Sequence, residues 1–383
     1  MKILLLVSSM HAGGAERVAA TLVNAWAERG DAPTLLPTYS SKGSCFYPVS
    51  DGVDFVWLAD LAGVRGGGPL AAIARLRALR KHIRALRPDV VVSFLTNVNV
   101  AAVLATRGLK VPVIVCERTN PVVGKSAGPL LSLARRLTYP FADMVTVQAQ
   151  ATVEPFQRMV PGLRRLEVVP NPLPPELASA PVAARLPAVD ARRRIMAMGR
   201  LVPEKQFDLL IDVFGLLADA NPRWDLCIWG EGPAREALQA RIDGLGLADR
   251  ITLAGRTETP WEVLSQGDAF ALTSAVEGFP NVLLEAMALG LPCVAFDCPS
   301  GPREMTREGQ DALLVAAGDR QGLAQALTRL MQDEALRLAL AERAARAARG
   351  RYALPAVLGI WDELFAKVGA RNARAAVKEG VPQ

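Results

Sequence analysis

Short apolar segments of strand length alternate with longer helical segments along most of the chain, and the alternation runs through two series. A parallel strand pair needs a long crossover connection, usually a helix, so this order predicts parallel, doubly wound sheets. The predicted strands of the first series are residues 3–7, 34–37, 53–58, 90–94, 111–116, 145–147 and 166–169. Its main predicted helices are residues 15–28, 70–86 and 98–106.

A proline-rich stretch separates the two series. Residues 170–175 read Pro-Asn-Pro-Leu-Pro-Pro, which neither a regular helix nor a strand accommodates. The predicted strands of the second series are residues 194–198, 224–229, 251–253, 269–273 and 293–296. Its predicted helices are residues 207–218, 234–245, 282–289 and 323–349.

The two series predict an α/β chain with two domains. We expect the first domain at residues 1–172, a linker at 173–190, the second domain at 191–352, and a C-terminal helix and tail at 353–383. Ligands of open α/β sheets bind at the carboxyl ends of the strands. A cleft between the two domains is therefore the expected binding site.

Composition narrows the functional classes. Hydrophobic residues make up 51% of the 383, enough for two cores, and no apolar run reaches the length of a membrane span. The apolar N-terminus is short and predicts a first core strand rather than a signal peptide. The five cysteines have no metal-binding spacing and indicate buried thiols in a reducing compartment, so we expect a cytoplasmic protein without a metal.

The net charge of +6 is distributed unevenly. Residues 1–190 contain 21 Lys and Arg against 13 Asp and Glu, whereas the remainder contains 23 against 25. This asymmetry predicts an anionic partner for the first half: nucleic acid, a membrane surface or a phosphate-bearing substrate.

The segment at residues 274–290 carries the most specific pattern. It places Glu277 and Glu285 eight positions apart, around the turn Gly-Phe-Pro-Asn, between a predicted strand and a predicted helix. Asn281 is the predicted N-cap of that helix, and Gly278 allows close backbone approach to a ligand. Carboxylates accept hydrogen bonds from sugar hydroxyls, and a helix start favours a phosphate. The alternative is an ordinary strand–helix unit with two surface glutamates.

Other loops at predicted strand ends are rich in glycine or cations. Gly13 and Gly14 follow the first strand, at the phosphate-binding place of this topology, although a tight turn would need them equally. Their spacing is not that of a nicotinamide-dinucleotide site. Arg200 and Lys205 lie near a predicted helix start, where Pro203 suits the first helical position. Two cations there are unfavourable unless an anion such as a diphosphate lies between them.

Together these motifs resemble the retaining glycosyltransferases of family 4, which have the two-domain GT-B fold with Rossmann-like domains. The similarity covers nearly the whole chain, and the block from Glu277 to Gly290 is its specific part. The residues that carry it are Gly13, Gly14, Ala15, Glu16, Arg17, Gly199, Arg200, Lys205, Gly230, Glu231, Gly232, Glu277 and Glu285.

The resemblance implies a nucleotide-sugar donor held mainly by the second domain, and among such donors it favours UDP-linked sugars. Arg200 and Lys205 would bind its diphosphate, Glu285 the ribose and Glu277 the sugar. Since the chain lacks an Asp-x-Asp pair, these cations rather than a metal would balance the diphosphate, and we expect no cofactor. The remaining donor-binding residues implied are Gly13, Gly14, Gly199, Gly230, Gly255, Arg256, Gly278, Phe279, Asn281 and Val282.

The resemblance also implies that the first domain binds the acceptor and that the final helix, predicted at residues 356–368, crosses back onto that domain. Many relatives carry a histidine on the first domain near the donor sugar, but this chain has only His11 and His82. Glu117, Arg118 or His11 could replace it. The alternative for Glu117 and Arg118 is a local surface ion pair.

A basic helix is predicted at residues 70–86. Residues 65–87 include seven Lys or Arg and no acid. The predicted apolar face consists of Ala72, Leu76, Leu79, Ile83 and Leu86, and the opposite face of Arg77, Arg80, Lys81 and Arg84. We predict a patch that contacts anionic lipid, the alternative being an ordinary solvated face. Nucleic acid is disfavoured, because aromatic residues make up only 5% of the chain and no recognition motif occurs.

The predicted function is transfer of a sugar to a glycan acceptor, lipid-linked in our preference, in cell-surface polysaccharide or glycolipid synthesis at the inner face of the cytoplasmic membrane. Two other classes stay open. One is a different two-domain sugar-nucleotide enzyme such as an epimerase, and the other is a non-catalytic protein that binds nucleotide-sugars or membranes.

Overall fold

The computed structural model describes residues 1–38, 45–64, 68–120, 128–181, 192–299 and 301–373. Arg65, residues 182–190 of the predicted linker and the end of the predicted tail lie outside these residues. The chain divides into two compact units, one formed by Met1–Pro172 with Leu354–Gln383 and the other by Leu173–Ala353.

The first unit is built on a seven-stranded parallel sheet in the order β3-β2-β1-β4-β5-β6-β7. The strands are β1 (Lys2–Val7), β2 (Ala32–Pro37), β3 (Asp54–Phe55), β4 (Val90–Phe94), β5 (Val113–Cys116), β6 (Met144–Val147) and β7 (Leu166–Val168). The helices are α1 (Gly14–Glu28), α2 (Leu58–Ala62), α3 (Pro69–Leu86), α4 (Thr96–Thr106), α5 (Pro129–Thr138) and α6 (Val153–Met159).

Strand β1 shows why the apolar runs of the sequence lack strict alternation with polar residues. Ile3 and Leu5 pack into one core of the first unit, which contains α1, while Leu4 and Leu6 pack into another, which contains α3 and α4. Because helices cover both faces of a parallel sheet, a central strand must be apolar on both sides.

The second unit contains a six-stranded parallel sheet in the order β10-β9-β8-β11-β12-β13. Its strands are β8 (Arg193–Met198), β9 (Trp224–Trp229), β10 (Ile251–Gly255), β11 (Ala269–Leu272), β12 (Cys293–Asp297) and β13 (Leu313–Ala316). Its helices are α7 (Pro175–Ala178), α8 (Phe207–Leu217), α9 (Arg235–Gly244), α10 (Pro260–Leu264), α11 (Asn281–Ala288), α12 (Pro302–Met305), α13 (Arg320–Gln332) and α14 (Glu334–Tyr352).

The final helix, α15 (Leu354–Lys367), packs on the first unit. Its Trp361 is buried, with the indole edge-on to Trp26 of α1 at 5.8 Å between ring centroids. Buried aromatic pairs contribute about 0.5–1.5 kcal/mol beyond their apolar area. The two parallel sheets and this returning helix confirm the expected fold.

Several boundaries differ from the sequence prediction by a few residues, strand β13 was not predicted, and three further differences are larger. The predicted helix at 323–349 is two helices, because the Asp333 carboxylate accepts a hydrogen bond from the Leu336 amide at 2.8 Å and caps the start of α14. The predicted strand at 53–58 is only the two-residue β3, followed by α2. Pro203 begins a short 3-10 turn, Pro203–Lys205, and not α8 itself. No helix in the described part of the chain is long and apolar enough to cross a bilayer.

Candidate active site

Three loops at the carboxyl ends of β8, β9 and β10 are joined through their backbones. The Leu201 amide donates to the Glu231 carbonyl at 3.0 Å, and the Gly230 amide donates to the Gly255 carbonyl at 2.7 Å. A Cβ on Gly230 would lie 1.8 Å from the carbonyl oxygen of Gly199, and Gly230 has a φ of 143°. Only glycine allows this approach. Loops that were singled out separately in the sequence thus form one surface.

Lys205 and Glu277 form an ion pair in the second unit. The Lys205 Nζ lies 2.5 Å from Glu277 Oε1, and both side chains are mostly buried. The Thr273 hydroxyl donates to the Lys205 carbonyl at 2.9 Å, which fixes the 3-10 turn against the loop after β11. The sequence pattern assigned these two residues separate ligands, and the structure brings them together.

Arg200 lies at the end of β8 with an exposed side chain. Within the described ranges, its guanidinium makes no ion pair with an acidic residue. Lys205 is thus balanced by Glu277, and Arg200 is an exposed guanidinium without an ion pair in the described part of the chain, beside a turn that also carries the exposed acid Glu204. Such an arrangement can attract an anion of the size of a diphosphate.

Glu285 is buried on α11 and accepts a hydrogen bond from the Trp261 indole Nε1 at 3.2 Å. Trp261 lies on α10 and was not predicted as a site residue. The one signal in the sequence was its position after a predicted strand-end loop. The contact fixes the orientation of one carboxylate oxygen of Glu285.

The Gly-Phe-Pro-Asn turn differs in part from the prediction. Helix α11 begins at Asn281, so Pro280 and not Asn281 is the N-cap residue. The Phe279 ring is buried against Tyr352, with 5.8 Å between ring centroids. Only the backbone of Phe279 is thus available to a ligand, while Gly278 and Val282 keep their predicted place beside the helix start.

A buried thiol lies within electrostatic range of the ion pair. Burial, together with the negative charge of Glu277 and against the opposing charge of Lys205, raises the pKa of Cys298 to about 12. The loop that carries Cys298 packs tightly, because a Cβ on Gly301 would lie 2.5 Å from the Pro280 ring. The sequence reasoning did not connect this loop with the site.

In the first unit, Gly13 precedes α1 and Gly14 is its first residue. The Gly13 amide donates to the Tyr47 hydroxyl at 3.2 Å. The carboxylate of Glu16, held by the Ser9 hydroxyl at 3.0 Å, lies beside Gly13, where a Cβ would be 2.3 Å from its Oε2. A phosphate at this helix start would meet a negative charge, so Glu16 would have to turn away.

Glu117 does not lie at an exposed edge of the first unit. Its buried carboxylate accepts hydrogen bonds from the hydroxyls of Thr96 at 2.9 Å and Tyr139 at 2.6 Å, and lies 3.7 Å from the Arg135 guanidinium. Burial raises its pKa, against the effect of these donors. The geometry does not suit the predicted replacement of the relatives' histidine, because every named partner belongs to the protein interior.

Arg118 is buried as well, so the alternative of a surface ion pair with Glu117 is wrong. Its guanidinium lies over the Phe94 ring at 3.6 Å and donates to the Asn171 side chain at 2.8 Å. Nε and Nη2 are buried without a hydrogen-bond partner among the described residues. Burial lowers the pKa of Arg118 to about 10. His11, the third candidate, is exposed.

The basic face of α3 is smaller than predicted. Arg77, Lys81 and Arg84 are exposed. Arg80 instead donates to the Ala105 and Arg107 carbonyls at 2.8 and 2.7 Å, at the carboxyl end of α4. Cations at this end of a helix satisfy its last carbonyls. On the predicted apolar face, Ala72 is exposed, and Ala71 is buried in its place.

Replacing Gly230 with Ala should destabilise the protein by about 3 kcal/mol or more, because the new methyl group meets a backbone carbonyl at a strained φ. Gly350→Ala is the matched control in the same unit: it lies in α14 with nothing within 4 Å of a new Cβ. The control should gain about 0.5–1 kcal/mol. Urea denaturation measures both, and equal unfolding midpoints for Gly230→Ala and the wild type would contradict the close approach of the two backbones.

Replacing Glu117 with Ala should cost about 3–5 kcal/mol, because Arg135 is left as a buried charge without its carboxylate. Measuring the free energy of unfolding across a pH series separates the contribution of Glu117 ionisation from that of its packing. Since the folded-state pKa of Glu117 is raised, its contribution is greatest at acid pH and is lost as the pH rises through that pKa. The stability advantage of the wild type over Glu117→Gln should therefore shrink with rising pH, whereas Glu154→Gln, at an exposed pair, should show no such trend.

No group of three or more His, Cys, Asp or Glu residues within the described ranges comes together as a metal site. The candidate site of the second unit consists of Arg200, the Lys205–Glu277 pair and the Glu285–Trp261 contact. It can bind an anion beside hydroxyl groups.

Two relatives and one solved structure show what this chain is similar to. An N-acetylgalactosaminyltransferase of Campylobacter jejuni, named as acting on a diNAcBac-PP-undecaprenol-linked glycan with an alpha-1,4 linkage, is 25% identical over 96% of this chain and 99% of its own. An exopolysaccharide phosphotransferase of Streptomyces coelicolor is 34% identical over 67% of this chain, which spans only 26% of that protein. Anabaena HepE in complex with UDP has the same fold, with a TM-score of 0.76 and 20% identity over 96% of this chain and 100% of that one.

Two family descriptions match successive parts of the chain. Residues 13–172 match the glycosyl transferase 4-like domain, and residues 183–347 match the glycosyl transferases group 1. The chain belongs to the group 1 glycosyltransferases of GT-B fold, with a glycosyl transferase 4-like domain in its first half.

Proposed function

We propose that the protein is a retaining glycosyltransferase that moves a sugar from a UDP-linked donor to a hydroxyl of a lipid-linked glycan, in the synthesis of a cell-surface polysaccharide. The observation that carries the proposal is the Lys205–Glu277 ion pair beside Arg200 at the carboxyl ends of the second sheet. It combines two cations for a diphosphate with a carboxylate for sugar hydroxyls.

Each side chain of the site has an assigned role. Arg200 and Lys205 bind the donor diphosphate, and Glu277 accepts hydrogen bonds from the sugar. Glu285, oriented by Trp261, binds the ribose hydroxyls. The nucleobase of the donor lies near Gly255 and Arg256. The backbone N–H groups of residues 278–282, apart from Pro280, which has none, complete the donor site. The first unit takes the acceptor.

The reaction follows from this charge arrangement. The bond between the anomeric carbon and the diphosphate oxygen breaks, and a bond to the acceptor oxygen forms on the same face of the sugar. The leaving diphosphate accepts the proton of the acceptor hydroxyl, so the protein needs to stabilise the leaving charge more than it needs a base. The two cations do so without a metal ion.

The relatives support the choice of substrates. The C. jejuni enzyme is named for an undecaprenol-linked acceptor and an alpha linkage, and HepE was solved with UDP. A lipid-linked acceptor places the enzyme at the inner face of the cytoplasmic membrane, where the exposed Arg77, Lys81 and Arg84 of α3 would contact anionic lipid.

Arg200→Ala should lower the turnover number on the order of 10²-fold, because it removes a fixed charge at the leaving group. The measurement is UDP release from a UDP-sugar in the presence of an undecaprenyl-diphosphate-linked glycan. Arg343→Ala, another exposed arginine of the second unit, is the control and should leave the rate unchanged. Wild-type activity in Arg200→Ala would remove the proposed role, and a product of inverted anomeric configuration by NMR would remove the retaining mechanism.

Glu277→Gln should separate the binding of the diphosphate from turnover. Without the carboxylate, Lys205 is no longer neutralised, so UDP should bind at least as tightly as to the wild type, while turnover falls by about 10²-fold. Calorimetric titration with UDP and the release assay measure the two effects. Glu262→Gln, at an exposed position on α10, should change neither. A loss of UDP affinity in Glu277→Gln would contradict the assigned charge balance.

A further inference from the structure

Helices α3, α4 and α5 form one outer layer of the first unit. The crossovers β3–α3–β4, β4–α4–β5 and β5–α5–β6 all advance in the same direction along the sheet. Because such crossovers are right-handed, their helices cover the same face. Helix α1 connects β1 to β2 in the opposite direction and shares the other core with α15. The outer side of the α3–α5 layer is thus a separate surface of the first unit.

Helix α5 presents a row of leucines to solvent. Leu130, Leu133 and Leu137 are 81%, 52% and 61% exposed, and their spacing places them on one side of the helix. We refer to these three residues as the leucine ridge. Phe141, just after α5, and Leu104, on α4, are exposed as well. Single exposed leucines are ordinary, but a grouped apolar surface indicates a site of interaction.

The neighbouring part of the layer adds further apolar side chains and cations. On α3, Leu70 and Ile73 are exposed near its start, and the exposed Arg77, Lys81 and Arg84 follow.

The charge of the layer has one sign. Residues 69–142 contain twelve Lys or Arg and only two acids, Asp89 and Glu117, both buried. Arg136 is exposed on α5 next to the ridge, and the Arg107 guanidinium lies over the Phe141 ring at 4.0 Å. The flanking helices α2 and α6 carry the exposed acids Asp60 and Glu154, of which Glu154 is paired with Arg158 at 3.3 Å. An apolar surface that carries cations and no exposed acid of its own is the arrangement that an anionic lipid surface attracts.

We propose that the leucine ridge inserts into the interface of an anionic bilayer while the basic side chains of α3 contact the lipid headgroups. A second copy of the chain fits this surface poorly, because self-association would bring like charges together. The inference extends the proposed function and rests on it, since it gives the acceptor-binding unit a hydrophobic anchor in the membrane that carries a lipid-linked acceptor. It also assigns the main anchor to α5, whereas the sequence pattern indicated only α3.

Vesicle flotation tests the proposal. The full chain should bind vesicles of equal parts phosphatidylcholine and phosphatidylglycerol, and a variant with Leu130→Gln, Leu133→Gln and Leu137→Gln should bind at least about tenfold more weakly. The control is Leu216→Gln, which replaces a leucine of the second unit that is 78% exposed. Removing Arg77, Lys81 and Arg84 by Gln substitution should weaken binding on the order of fivefold per charge, mainly at low salt.

A fluorescent label reports insertion directly. In a Cys45→Ser background, Leu133→Cys carrying a nitrobenzoxadiazole group should shift its emission to the blue on addition of the vesicles, and labelled Leu216→Cys should not. Equal vesicle binding by the ridge variant and the wild type, or no shift at position 133, would overturn the proposal. A wild-type dimer in light scattering that the ridge variant abolishes, without vesicle binding, would assign the surface to self-association instead.

The ridge variant should keep the UDP affinity of the wild type, because all of its substitutions lie in the first unit, whereas the proposed donor site is built from the second. Failure of UDP to bind the wild type would contradict the proposed donor but not the membrane inference. Failure of vesicle binding with normal UDP affinity would remove only the membrane inference.

Discussion

The candidate site depends on a close approach between backbones. The loop after β9 passes so near to the loop after β8 that Gly230 has no room for a side chain, and an amide of the same loop pairs with Gly255 after β10. Three strand ends therefore form one rigid surface. The backbone that carries Arg200 and Lys205 therefore needs little ordering when a ligand binds, which lowers the entropic cost of binding.

The charge balance on this surface bears on how the proposed donor and product would bind. Lys205 is paired with Glu277 when no anion is present, so the site does not hold an unpaired cation in a mostly buried position. Arg200 keeps its charge in solvent, where an unpaired guanidinium costs little. In the proposed reaction a diphosphate would contact both cations. The pairing of Lys205 with Glu277 would keep the site from binding the product too strongly.

The sequence predicted the order of the elements well, because the alternation of apolar strands and helices is local. It also identified the strand-end loops, since glycine and proline mark them wherever they occur. It could not show that Lys205 pairs with Glu277, since 72 positions separate them and the pairing depends on the order of strands in the sheet. Glu117 failed for a related reason: its hydroxyl partners come from α4 and from the segment after α5, so its burial depends on tertiary packing alone. Local rules also missed Arg80, which follows the spacing of a solvated helix face but donates to the free carbonyls at the end of α4.

The buried thiol of Cys298 has a consequence for chemical durability. Oxidants and alkylating agents attack thiolates, and a thiol whose pKa is about 12 is almost entirely protonated at neutral pH. Electrophiles would therefore encounter Cys45, which is exposed on the first unit, well before the sulfur beside the ion pair. The thiol of the proposed donor site is thus shielded from oxidation by its own protonation.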